Sequence, residues 1–258
     1  MIVVKYGGNA MSAALAGDPL LEELSALHRG GEQIVLVHGG GPEIDAALAE
    51  RGIETTRVEG QRVTDAATLS VTEAVLCGTI NKRIVRALQS LGVNAAGLSG
   101  QDAQTLVARR LRGNAGEDLG YVGEIATVDT KLIETLLAAN LLPVIAPLAI
   151  EETLANALNV NADAAAGAIA TVLQARALIL ATNVARVLRD PDDPSSGIDR
   201  LTPGEATQFA KSDACRSSMK PKLLAATNAA RANVPSYICS TKANAISLAF
   251  RGEATLVV

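Results

Sequence analysis

Two strongly apolar segments, each followed at once by glycines, place the tightest constraint on how this chain folds. Residues 2–4 are Ile-Val-Val, and Lys5 and the Gly7–Gly8 pair come shortly after them. Residues 33–37 repeat the design and lead into Gly39–Gly41. Short apolar runs rich in β-branched side chains are typical of buried strands. The pattern predicts two buried strands that end in tight glycine turns.

These two turns are suited to bind an anion. Glycine lets backbone N–H groups approach a ligand closely, and residues 41–48 read as a helix whose N-terminus adds partial positive charge. Lys5 adds a full charge beside the first turn. Plain tight turns are the alternative, and neither turn matches the P-loop or dinucleotide fingerprint. A nucleotide bound here therefore requires another fold.

Composition narrows the class of protein. Apolar residues make up 48% of the chain and charged residues 19%, as in a globular domain, and no apolar run approaches the roughly 20 residues that span a bilayer. The net charge of −4 gives no support for nucleic-acid binding. Three widely spaced cysteines indicate reduced thiols and a cytoplasmic location. With two histidines we expect no metal site, and we interpret His38 as a structural residue at a strand end.

Predicted strands alternate with predicted helices along most of the chain. This alternation favours an α/β fold, with a mainly parallel sheet and helices on both faces. Residues 66–91 show one long helical pattern, and residues 105–111 and 123–128 are typical of an antiparallel hairpin. The short polar segment 189–197 is interpreted as a surface loop. We therefore expect a single domain over residues 1–258.

Two further patches carry polar residues in unusual density. Asn159, Asn161 and Asp163 alternate along an extended segment that enters a predicted helix. One helix cap needs fewer residues than this, although a cap remains the alternative role for Asp163. Lys220 and Lys222 open the last long helix, where they oppose the helix dipole. That unfavourable placement favours a bound anion, and a surface charge pair is the alternative.

Arg62 completes the set of candidate ligand-binding residues. It precedes the long helix, where its guanidinium group can hold a carboxylate in a bidentate pair. Two lysines, glycine N–H groups, one arginine and one aspartate are the components that phosphoryl transfer needs, because that reaction depends on positioning and charge compensation. We find no paired carboxylates, Ser/His/Asp set or clustered metal ligands that would support hydrolysis. The residues therefore favour a phosphotransferase.

Five motifs occur in the order and spacing of a known family. They are residues 5–11, 37–42, 60–65, 159–163 and 219–222. Together they resemble the acetylglutamate kinases of the amino-acid kinase family, and the resemblance covers essentially the whole chain. It implies an open αβα sandwich with a mainly parallel central sheet. An N-terminal lobe of about residues 1–156 would bind an acyl amino acid, and a C-terminal lobe of about residues 157–258 would bind ATP.

The resemblance also implies a role for each motif residue. Lys5 and Lys222 would stabilise the transferred phosphoryl group, and Asp163 would orient both lysines. The remaining assignments divide by ligand: Gly40, Gly41, Arg62 and Asn159 to the substrate, and Gly8, Asn183, Val184 and Leu188 to the nucleotide.

The implied reaction transfers phosphate from ATP to the side-chain carboxylate of N-acetyl-L-glutamate. Its product is an acyl phosphate, in a step of arginine biosynthesis. Mg²⁺ would bridge the β- and γ-phosphates with few protein ligands. The resemblance further implies a homodimer.

Several residues on the nucleotide side depart from the family pattern. The family commonly has Asp at position 183, Pro-Gly at 185–186 and a glycine pair at 217–218, where this chain has Asn, Ala-Arg and Ser-Ser. Two alternatives therefore stay open. One is a kinase of glutamate or aminoadipate attached to an amino-group carrier protein, and residues 76–83 resemble that group. The other is a non-catalytic ligand-binding relative, against which the retained lysines and aspartate argue.

Overall fold

Strands recur throughout the chain, which a computed structural model describes over residues 1–11, 15–58 and 60–258. The strands are β1 Ile2–Tyr6, β2 Ile34–His38, β3 Arg57–Val58, β4 Gln61–Arg62, β5 Ala95–Ser99, β6 Leu106–Arg112, β7 Asp118–Val128, β8 Leu142–Ala146, β9 Leu148–Glu151, β10 Ala157–Val160, β11 Ala177–Thr182, β12 Val187–Leu188, β13 Gly197–Ile198, β14 Arg200–Leu201, β15 Ser236–Ser240 and β16 Thr255–Val257.

Helices connect most of these strands. They are α1 Pro19–Arg29, α2 Gly41–Glu50, α3 Ala66–Glu73, α4 Asn81–Ser90, α5 Lys131–Ala138, α6 Ala162–Val172, α7 Pro203–Lys211, α8 Lys220–Arg231 and α9 Ala245–Ala249. Short 3₁₀ helices lie at Gly8–Ala10 and Asp102–Gln104. Across the described ranges, no helix has the length and apolar character that crossing a membrane requires.

The central sheet has eight strands in the order β14–β16–β15–β11–β1–β2–β8–β5. Every neighbouring pair is parallel except β15 and β16. Parallel neighbours need crossover connections, which the helices supply. The predicted α/β fold with a mainly parallel central sheet is confirmed.

Strand β1 lies inside the sheet between β2 and β11, and all five of its residues are buried. Successive side chains point to opposite faces of a strand. Val3 therefore packs with residues of α5, α6, α7 and α8, whereas Ile2, Val4 and Tyr6 pack with residues of α1, α2, α3 and α4. Lys5 shares the face of Val3, which places its ammonium group on the side of α6 and α8.

A second, smaller sheet is built from strands that lie between residues 106 and 160. Strands β6, β7, β9 and β10 close into a four-stranded ring. The hairpin predicted at residues 105–111 and 123–128 is present as β6 and β7. The second strand of the hairpin begins earlier than predicted, at Asp118, because register shifts along β6 keep the two strands paired. Strand β10 leads directly into α6 and so delivers Asn159 and Asp163 to one region.

The long helical pattern at residues 66–91 is not one regular helix. Between α3 and α4 the segment Ala74–Ile80 is a π-helix, a form often found at functional sites. Its Leu76 and Ile80 pack over the second glycine turn. A Cβ added to Gly40 would collide with Ile80 Cδ1 and Leu76 Cδ2, so a larger residue at position 40 would have to displace these two side chains.

A buried carboxylate joins the first helix to the last. Glu23 of α1 is 7% exposed and accepts hydrogen bonds from the backbone N–H groups of Ile246, at 3.0 Å, and Ser247, at 2.8 Å. Asn244, the residue before α9, makes no side-chain cap. Glu23 therefore satisfies the N-terminal donors of α9 from a distant part of the sequence.

We predict that Glu23→Gln lowers the free energy of unfolding by about 1–3 kcal/mol, because it weakens charge-assisted hydrogen bonds to buried donors. Urea denaturation measures the effect. Glu54→Gln is the control, since Glu54 is exposed, and we expect a change within about 0.5 kcal/mol. Equal values for the two variants would contradict the capping role.

Candidate active site

Three charged side chains meet at the C-terminal end of β1. Lys5, Asp163 in the first turn of α6, and Lys222 in the first turn of α8 are 5%, 4% and 9% exposed. One carboxylate oxygen of Asp163 lies 3.0 Å from Lys5 Nζ, and the other lies 3.3 Å from Lys222 Nζ. A single buried carboxylate thus bridges both lysines.

The cap of α6 is Asn161. Its side-chain oxygen accepts hydrogen bonds from the backbone N–H groups of Asp163, at 2.8 Å, and Ala164, at 3.1 Å. Because Asn161 satisfies these donors, the carboxylate of Asp163 is available to the two lysines. The alternative role of Asp163 as the helix cap is therefore wrong.

Burial and charge act in opposite directions on these groups. Burial alone raises the pKa of Asp163, but the charges of Lys5 and Lys222 outweigh it and hold that pKa below its ordinary value. Burial lowers the pKa of Lys222, and the neighbouring charge of Lys5 lowers it further against the attraction of Asp163. The ionised carboxylate of Asp163 between the ammonium groups of Lys5 and Lys222 leaves one net positive charge, and these residues line an open cleft. That charge suits an anionic ligand.

The two glycine turns lie against each other beside these lysines. A Cβ added to Gly8 would lie 2.8 Å from the backbone nitrogen of Gly40 and 3.1 Å from that of Gly41. Within the described part of the chain, the N–H groups of these three glycines have no hydrogen-bond acceptor. Such a cluster of free backbone donors is a binding surface for carboxylate or phosphate oxygens.

A cleft of about 480 Å³ brings most of the predicted residues together. Its walls include Lys5, Gly8, Gly40, Gly41, Arg62, Asn159, Asp163, Asn183 and Lys222. Asn159 also donates a long hydrogen bond, 3.4 Å, to the hydroxyl group of Thr64, and this bond connects β10 to the segment that follows β4. The predicted catalytic and substrate-binding residues thus share one cleft.

The predicted carboxylate-binding arginine already has a partner inside the chain. The guanidinium group of Arg62 pairs with Asp45 of α2 and donates to the carbonyl oxygen of Gly41 at 3.3 Å. Arg57 binds both oxygens of Asp45, at 2.9 and 3.2 Å. Although burial alone raises the pKa of Asp45, these two arginines hold it below its ordinary value. Two cations around one anion leave a positive charge for a ligand carboxylate.

Neither Asp45 nor Arg57 was predicted from the sequence. Arg57 pairs directly opposite Arg62 across the β3–β4 hairpin. Neither residue belongs to a recognisable motif, and their proximity depends on a two-residue strand that propensity alone does not reveal. The sequence carried no signal strong enough to find this pair.

A smaller cavity of about 110 Å³ contains the other predicted nucleotide residues. Val184 and Leu188 line it together with Phe209 and Cys215, and Met219 lines both this cavity and the main cleft. The predicted nucleotide residues are therefore divided between two adjoining spaces. The mostly apolar walls of the smaller one suit a flat aromatic group.

Comparisons with known proteins agree with this geometry. The amino acid kinase family model matches residues 1–240. The chain is 41% identical to acetylglutamate kinase of Symbiobacterium thermophilum, covering 86% of this chain and 77% of that protein. It is 43% identical to acetylglutamate kinase of Rubrobacter xylanophilus, covering 92% and 87%. The crystal structure of smu.665 from Streptococcus mutans has a TM-score of 0.82 and 25% identity, covering 100% and 98%.

We predict that Asp163→Asn lowers the free energy of unfolding at neutral pH by about 3–5 kcal/mol, because it leaves two buried cations without their counter-ion. A lowered pKa means that the carboxylate stabilises the fold fully above its unfolded pKa of about 3.9 and loses this effect as the pH falls through the folded value. The difference in the free energy of unfolding between the variant and the parent protein should therefore become smaller below about pH 4. Urea unfolding at a series of pH values measures it.

The matched control is Asp213→Asn, since Asp213 is exposed. We expect a change within about 0.5 kcal/mol for it. If Asp163→Asn changes stability no more than this control does, the three charged groups are not energetically coupled.

Proposed function

The chain belongs to the amino acid kinase family, and from that premise we propose that it is an enzyme that phosphorylates N-acetyl-L-glutamate with ATP. The reaction is that of the acetylglutamate kinases, in arginine biosynthesis, to which the chain is 41% and 43% identical. The observation that carries the proposal is the Lys5–Asp163–Lys222 group beside three glycine N–H donors.

The proposed chemistry is a direct phosphoryl transfer. A side-chain carboxylate oxygen of the substrate attacks the γ-phosphorus, the bond to the bridging oxygen breaks, and ADP leaves. Lys5 and Lys222 face the negative charge of the transferred group from two sides, and Asp163 fixes both ammonium groups. Protein groups need not form covalent intermediates, because positioning and electrostatic stabilisation supply the catalysis.

The substrate is proposed to bind in the N-terminal lobe, residues 1–156. Gly40 and Gly41 would donate to its reacting carboxylate, and Arg62 would hold its α-carboxylate. Asn159, which also lines the cleft, would contact the acylamino group. The geometry that supports this is the shared cleft and the surplus positive charge around Asp45.

ATP is proposed to bind in the C-terminal lobe, residues 157–258. Gly8 and Asn183 would contact the phosphate groups of ATP in the main cleft. Val184 and Leu188 would contact the adenine in the smaller cavity. The family departure at Arg186 is accommodated at the wall of this cavity, where that side chain pairs with Asp199 at 2.9 Å and donates to the carbonyl oxygen of Gly252.

Mg²⁺ is proposed to arrive with the nucleotide. No cluster of three or more metal-ligating side chains exists among the residues that the structure describes, and the carboxylate of Asp163 is engaged by two lysines. Phosphate oxygens and water would therefore supply most ligands. The bound ion would neutralise charge on the β- and γ-phosphates.

We further propose a cytoplasmic homodimer. The support is the family resemblance together with the unpaired state of Cys77, Cys215 and Cys239, which reduced compartments favour.

A substrate panel tests the proposed function. The purified protein is incubated with ATP, Mg²⁺ and N-acetyl-L-glutamate, N-acetylaminoadipate, glutamate or carrier-linked forms, and ADP and acyl phosphate are measured. We expect turnover with N-acetyl-L-glutamate. Turnover with carrier-linked substrates alone would identify the second kind of kinase, and no turnover with any of them would support a binding protein.

We predict that Arg62→Lys raises KM for the acyl amino acid roughly tenfold or more and leaves KM for ATP nearly unchanged, because lysine keeps the charge but loses the planar fork. Steady-state kinetics with each substrate varied in turn measures both constants. Arg51→Lys, on the exposed end of α2, is the control. An equal rise in both constants would instead assign Arg62 a structural role.

A further inference from the structure

His38 is fully buried at the end of β2 and touches neither the charged group nor the cleft. Its Nδ1 lies 3.0 Å from the carbonyl oxygen of Gly39, and its Nε2 lies 3.2 Å from the side-chain amide nitrogen of Asn81. Asn81 of α4 is also fully buried, and the same nitrogen lies 2.8 Å from the carbonyl oxygen of Val144. A polar pair in the core, held by this many contacts, needs a reason beyond packing.

The contacts determine how the imidazole is protonated. A carbonyl oxygen only accepts, so Nδ1 of His38 carries the proton and donates a hydrogen bond to the carbonyl oxygen of Gly39. Nε2 is then an acceptor for the amide of Asn81. Burial lowers the pKa of His38 to about 4, and the nearby charges of Arg83 and Lys82 lower it as well. The ring is therefore neutral at physiological pH, as the hydrogen bond that Nε2 accepts from Asn81 requires.

The hydrogen bond from His38 Nδ1 to the carbonyl oxygen of Gly39 fixes the direction of the Gly39–Gly40 peptide. The Gly39–Gly40 peptide is trans, so its N–H group points opposite to its carbonyl oxygen. His38 pairs in register with Tyr6, so the two side chains lie on the same face of the sheet. The His38 ring therefore holds the Gly39 oxygen on the Tyr6 side. The N–H group of Gly40 therefore points towards the other side, where Lys5 lies.

We propose that His38 and Asn81 are positioning residues for the phosphoryl-transfer site. They hold the Gly39–Gly40 peptide in the orientation that directs the Gly40 N–H group at the substrate oxygen. Glycine has the widest choice of backbone conformations, so a run of three glycines needs an external restraint to keep one orientation. The inference rests on the proposed function, and it adds an indirect residue pair to it.

Two substitutions of His38 separate positioning from packing. The amide of asparagine reaches the place of Nδ1, so His38→Asn keeps the bond to Gly39 and leaves a small cavity. The longer glutamine places its amide near Nε2, so His38→Gln keeps the bond to Asn81 and fills the space better. If His38 serves only in packing, the glutamine variant should be the more active of the two. If His38 positions the Gly39–Gly40 peptide, the asparagine variant should be the more active.

We expect His38→Gln to lower kcat by about 10²–10³, the loss typical of one misdirected oxyanion donor. His38→Asn should stay within about tenfold of the parent, although it is the less stable variant in urea. KM for ATP should change less than kcat in both. If kcat follows stability, with glutamine the more active, the positioning role is overturned.

A measurement on the unaltered protein covers the case in which neither variant folds. Nitrogen-15 NMR of the imidazole distinguishes the two neutral tautomers without any turnover. We expect the Nδ1-protonated form at neutral pH. The Nε2-protonated form would overturn the proposal, and because no substrate is present, that outcome is independent of whether the substrate panel succeeds.

Discussion

The structure depends on one shared carboxylate. Two ammonium groups cannot be buried side by side without a counter-ion, because desolvation and like-charge repulsion both oppose it. Asp163 removes that obstacle for Lys5 and Lys222. Its position requires α6 and α8 to begin at the same edge of the sheet and to run close together. Gly167 permits this approach, since a Cβ there would lie 3.3 Å from Ala225 Cβ.

Positive charge is concentrated in the cleft of a protein that is acidic overall. The chain carries a formal charge of −4, yet the charged residues in the walls of the cleft are Lys5, Lys222, Arg57 and Arg62 against Asp45 and Asp163. This separation of charge attracts anionic ligands to one opening and repels them from the remaining surface. Each aspartate also holds two cations in place, so the excess charge is fixed before any ligand arrives.

Sequence patterns predicted the parts of the fold that depend on short-range order. The strand–helix alternation predicted the parallel sheet, and the motifs around Lys5, Asp163 and Lys222 predicted residues that the fold brings together. The Asp45–Arg57 pair was not predictable, because it depends on a hairpin of two very short strands packing against α2. The π segment was also missed, because an apolar stripe does not report which carbonyl each N–H group binds.

The π segment between α3 and α4 affects how relatives of this protein can be compared. A π turn closes one residue further along the chain than an α turn, so it accommodates an extra residue while the flanking helices keep the same faces towards the sheet. In an uninterrupted α-helix, one inserted residue would rotate everything after it by roughly 100° and carry Asn81 out of the core. A single-residue gap opposite Ala74–Ile80 in an alignment can therefore leave the buried network unchanged, and it would record a difference in helix type alone.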